Sequence, residues 1–186
     1  MKKYVKLLPV ILYPYAYMIW LVLYFCFFDF FKSILGENLS WNIFEGIFIG
    51  YQILTLISVF YGAVYIAKSE ISAKDAAKMN LIIKVLHIPS YIFHFILGFL
   101  ASCMSVWGIG FLVVVIVIDV LAIALTGIVA IGCVVKLKKR EVLTGMTSFW
   151  AAIGSFIYGI DLIVAIVLWI ISKKHFLTWK IQNRDR

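Results

Sequence analysis

Charge is what this chain has least of: Lys, Arg, Asp and Glu together make up 14% of its 186 residues. Soluble domains carry roughly 25% charged and 45–50% apolar residues. Here the hydrophobic share is 65% and the mean hydropathy +1.06, so a water-soluble globule is excluded and an integral membrane protein is expected. No polar stretch between the apolar runs exceeds about 15 residues, too little for a separate soluble core, and residues 1–186 read as a single transmembrane domain. There is no HExxH, no GxSxG, no glycine-rich phosphate loop and no Cys-x-x-Cys. Neither an enzyme nor a bound cofactor is expected on that ground. Solenoid repeats, low-complexity tracts and basic stretches interleaved with aromatics are missing as well. The net charge of +8 therefore points to a bilayer with anionic headgroups and not to nucleic acid.

What is present is a series of apolar runs. Five reach the roughly 20 residues needed to cross a bilayer as helices: Leu7 to Phe28, Ile43 to Ala67, Leu81 to Ser105, Gly108 to Val135 and Met146 to Ser172. The fold class is thus all-α, a polytopic transmembrane bundle of five spans. The opening MKK resembles the start of a signal peptide, but no small-residue cleavage site follows and the apolar stretch is longer than about 15 residues. It reads as a retained span, rich in aromatics such as Tyr13, Tyr15, Tyr17 and Trp20.

Basic residues orient the bundle. Lys2, Lys3 and Lys6 precede the first span, Lys68, Lys74 and Lys78 lie between the second and third, and Lys136, Lys138, Lys139 and Arg140 follow the fourth. The positive-inside rule then puts the N-terminus in the cytoplasm. Five spans leave Lys173, Lys174, Lys180, Arg184 and Arg186 outside, a conflict that an even number of spans would remove.

The third run carries groups that are costly in hydrocarbon. Ser72 followed by Asp75 fits a helix-capping signature, so one rod is expected over 73–104. Pro89 should kink it by removing the bond to Val85. Lys84, His87, Tyr91, His94 and Gly98 fall on one face of that rod. Lys84 is close enough to the start to snorkel to the cytoplasmic interface; His94 is not. Two more ionisable groups, Asp119 and Asp161, lie within the fourth and fifth runs. With a rise of about 1.5 Å per residue, His94, Asp119 and Asp161 each come out about 16 Å deep.

These three form the expected ion or proton site, because intramembrane Asp and His are the usual parts of relays and coupling sites. Tyr17, Gln52, Thr55, His87, Tyr91 and Tyr158 are the expected supporting groups, and Ser58 and a GxxxG at Gly46 and Gly50 lie on the same second span. A metal site is not expected, since His87 and His94 are two turns, about 10 Å, apart along one helix. The functional expectation is ion- or proton-coupled movement of a small ion or solute. The alternative is a non-catalytic accessory, immunity or sensor protein that works through helix contacts, as an oligomer or with a partner membrane protein.

The run NLIIKVLHIPSYIFHFILG, residues 80 to 98, resembles a segment of small multi-pass bacterial membrane proteins of unknown function. That resemblance covers about a tenth of the chain; it implies a bacterial plasma membrane and brings no activity. Cys26 and Cys103 fall near one expected end of the bundle and Cys133 near the other. A disulfide between the first two is geometrically open, although buried free cysteine acting as a small hydrophobe is the commoner case.

Overall fold

The computed structural model describes residues 5 and 7–182. Lys2, Lys3, Lys6, Arg184 and Arg186, which entered the orientation argument, lie outside the described residues. Among the described residues the chain forms six helices: α1 Leu8–Leu35, α2 Glu37–Lys68, α3 Ala73–Ser102, α4 Ser105–Lys139, α5 Gly145–Gly154 and α6 Ile160–Gln182. Among the described residues there is no strand, as the all-α expectation requires.

Local chemistry sets several of the boundaries. Ser72 caps α3 by accepting the Asp75 N–H at 3.0 Å, and the rod then runs through Pro89 to Ser102. Thr144 starts α5 in the same way through the Thr147 N–H. At the end of α2, the Ser69 carbonyl accepts from the ammonium of Lys136 on α4, a cation at a helix C-terminus where the dipole favours it.

The helices pack around Leu7, Val59, Ile66, Ile83, Val129 and Leu168. α2 and α4 approach closely at Gly132, where a Cβ would sit 2.4 Å from the Ala63 carbonyl oxygen. Gly46 and Gly50 play no such part, since nothing lies within 4 Å of where their side chains would be.

Among the described residues, three helices, α2, α3 and the Gly108–Lys139 part of α4, are long and apolar enough to cross a membrane. A fourth joins them if α1, bent by 55° between its Leu8–Tyr24 and Cys26–Leu35 parts, is one span. The fifth expected span, Met146 to Ser172, is not continuous: it is divided into α5 and α6 by the turn at 155–159. Gly159, at φ +75°, supplies a left-handed residue there that a side chain would resist.

The two pieces form a hairpin. The turn meets Lys84 in the interior, with the Lys84 ammonium on the Ser155 carbonyl and on Asp161. From there α6 runs back alongside α3, so that Lys74 sits over the Phe176 ring at 4.9 Å. Glu70, Lys74, Arg140, Ser172 and His175 line one cleft. The ends of α2, α4 and α6 and the starts of α3 and α5 therefore share one end of the bundle. α1 begins there too, because Leu7 packs over Gly62 near the end of α2. At the opposite end, Trp41 and Phe44 of α2 pack on Phe28 of α1.

Candidate functional site

The polar stripe of α3 faces inward: Lys84, His87, His94 and Gly98 are all buried. Lys84 does not snorkel. It is about 17 Å along the helix from Ala73, and 2% exposed. Its ammonium donates to Asp161 Oδ2 at 2.8 Å, to Thr126 Oγ1 at 2.7 Å and to the Ser155 carbonyl at 3.4 Å. These use all three donors of a lysine, as burial of a charge demands. The geometry also suits the broken helix, since the cation caps the C-terminal end of α5 while Asp161 lies in the first turn of α6. Backbone freed by a break inside hydrocarbon must find partners within the protein, and Lys84 is that partner.

His87 answers a different break. Pro14 inside α1 has no N–H to give to the Val10 carbonyl, and His87 Nε2 lies 3.0 Å from that oxygen. A carbonyl only accepts, so Nε2 carries the proton and Nδ1 is left without a partner in the interior. His87 thus repairs a neighbouring helix and does not join the carboxylates.

The second pair is His94 with Asp119, hydrogen-bonded Nδ1 to Oδ1 at 2.6 Å. His94 is closed off at 2% side-chain exposure, whereas Asp119 keeps 15%. Asp119 faces a cavity of about 490 Å³ between α3 and α4, lined mainly by apolar side chains with Tyr158 from the α5–α6 turn.

His94, Asp119 and Asp161 are therefore not one layer. They divide into two pairs whose α3 members, Lys84 and His94, are about 15 Å apart along the axis. Tyr91 and Tyr158 stand between them, with ring centroids 5.5 Å apart. Both tyrosines are within electrostatic reach of both carboxylates, and the Tyr91 hydroxyl has no hydrogen-bond partner. The remaining supporting groups are elsewhere. Thr55 bonds back to the Tyr51 carbonyl of its own helix at 2.9 Å, Tyr17 stacks with Trp20, and Gln52 is half-buried on α2; none of them bonds to either pair.

Sequence reasoning missed Lys84, Thr126 and Ser155 as members of one cluster. The available signal was depth, because a lysine three turns past a capped helix start is a poor candidate for snorkelling.

Among the described residues, the fold and its interior define an all-helical protein with three or four helices fit to cross a membrane, a buried Lys84–Asp161 ion pair and a partly buried His94–Asp119 hydrogen bond. No family model, no curated protein and no solved structure matches the chain.

Proposed function

We propose that the protein is a small plasma-membrane component in which ion- or proton-coupled movement runs through the His94–Asp119 and Lys84–Asp161 pairs. The observation that carries this reading is the pairing of two intramembrane carboxylates with cationic or protonatable partners at two levels, with two tyrosines between them. Ionisable groups at such depth are expensive and mark ion or proton pathways. A helix broken in the interior beside a bound charge is the construction that transporters use for their sites. Asp119 is the open station and Asp161 the closed one.

The orientation belongs to the same proposal. Lys68, Lys74, Lys78, Lys136, Lys138, Lys139, Arg140, Lys173 and Lys174 gather at one end of the bundle, and among the described basic residues Lys32 alone lies at the other. Positive residues mark the cytoplasmic side, so both chain termini are cytoplasmic.

The test is proton flux in reconstituted vesicles under an imposed pH gradient. Asp119→Asn is the informative variant because it leaves the tip of the hairpin intact, and flux is expected to fall to the level of empty vesicles. Undiminished flux would make the pairs interhelical glue.

One observation favours a second reading, an accessory protein acting through helix contacts. Gly46 and Gly50 form a GxxxG on α2 that faces outward with nothing packed on it, the pattern by which membrane helices approach one another. Loss of association on Gly50→Leu with flux absent throughout would move this reading ahead.

A further inference from the structure

The cavity beside Asp119 has a composition that selects its occupant. Its volume, about 490 Å³, is in the range of small-molecule sites. Phe95, Phe99, Leu112, Val115 and Ile116 make most of its wall, and its polar groups are His94, Asp119 and Tyr158. Of the His94–Asp119 pair, the carboxylate is the part that shows: Asp119 is 15% exposed and His94 2%. The chemistry offered to a ligand is therefore a single anionic acceptor at one end of an apolar, aromatic slot.

The mouth of the slot is also informative. Phe95 and Phe99 are 74% and 65% exposed, on the outer surface of α3, a helix that is itself fit to span the membrane. The cavity opens sideways toward lipid, so whatever enters must dissolve in hydrocarbon. A bare inorganic ion does not meet that condition, and among the described residues no group of three His, Cys, Asp or Glu is placed to hold a metal ion. A molecule with an apolar body and one amine does meet it. Its nitrogen finds a charge-assisted acceptor, and the neighbouring rings accept a cation on their faces.

We propose that this cavity binds an amphiphilic amine, with the nitrogen on Asp119 and the apolar body against Phe95, Phe99 and Leu112. The assignment rests on the reading of the His94–Asp119 pair as a working site and names the class of molecule it takes.

Calorimetric titration of the full chain in nanodiscs of zwitterionic lipid tests it, with 4-phenylbutylamine as the probe and 4-phenylbutanol as its neutral counterpart. The amine is expected to bind at least about tenfold more tightly than the alcohol, the scale of one charge-assisted hydrogen bond. Asp119→Asn should bring the amine down to the level of the alcohol. Leu112→Trp, which fills the slot and leaves the His94–Asp119 pair untouched, should abolish both, and it keeps the test decisive if Asp119→Asn does not fold. Equal binding of amine and alcohol, or amine affinity within about twofold of the parent in Leu112→Trp, overturns the site. Failure of the transport reading looks different: amine binding without proton flux supports this site and removes transport, while flux without amine binding removes this ligand and leaves transport standing.

Discussion

Lys84 and His87 are three residues apart on one face of α3, and both mend helices that are not their own. The Lys84–Asp161 pair is almost fully enclosed, at 1% and 4% side-chain exposure. Removing one partner of such a pair costs about 3–5 kcal/mol, because it strands the other charge, whereas replacing both with apolar groups is close to neutral. Lys84→Met alone is therefore expected to destabilise strongly, and Lys84→Met with Asp161→Leu to recover most of the loss. Thermal unfolding in detergent would show this through reaction of a thiol dye with Cys133, which is buried, once the exposed Cys26 and Cys103 are replaced by Ser. A double variant as unstable as the single would mean that the Ser155 carbonyl, not the charge pair, dominates. His87→Leu should cost about 1–3 kcal/mol by leaving the Val10 carbonyl unsatisfied. Pro14→Ala restores the N–H that α1 lacks, so it is expected to lower that cost. Additive effects of the two substitutions in the same melting assay would sink the link between them.

At the level of elements, the close approaches are what separate working glycines from idle ones. Gly132 meets the Ala63 backbone, with three atoms within 2.9 Å of where a Cβ would sit, and backbone cannot turn aside as a side chain does. Gly132→Val is expected to destabilise by about 1–3 kcal/mol through overpacking, while Gly50→Val, on an open surface of the same α2 helix, should leave the monomer's melting unchanged. Equal melting of the two variants would show that α2 and α4 separate without penalty. The hairpin of α5 and α6 depends on a comparable local device. Its ten-residue first arm is about 15 Å long, too short to cross about 30 Å of hydrocarbon, and it turns where Gly159 permits a left-handed residue and Lys84 receives the freed carbonyl.

For the whole molecule, the hairpin brings the end of α6 back to the end of the bundle where α3 and α5 start. Five spans put the basic C-terminal segment opposite the other basic loops, against the positive-inside tendency. With α6 returning to the end where α5 starts, the charges of Lys173 and Lys174 join those of Lys136 to Arg140. Reporter fusions active on only one side of the membrane should therefore place the C-terminus on the same side as the loop at 69–72. A reporter active on the opposite side would mean that α5 and α6 together cross and that the turn at 155–159 is a kink within one span.

The sequence by itself determined the helical class, the apolar surface, the capped start of α3 and the shared face of Lys84, His87, Tyr91, His94 and Gly98, because each follows from composition or from helical periodicity along one segment. Which acid pairs with which base was decided only by the tertiary structure. Periodicity says that a residue faces inward but not how far up a neighbouring helix its partner is, so equal depths assigned to His94, Asp119 and Asp161 grouped residues that the fold divides. The fifth run shows the same limit. Its apolar length reads as a crossing, but a helix breaks when outside groups satisfy the freed backbone. The group that does so here, Lys84, lies about seventy residues away in sequence.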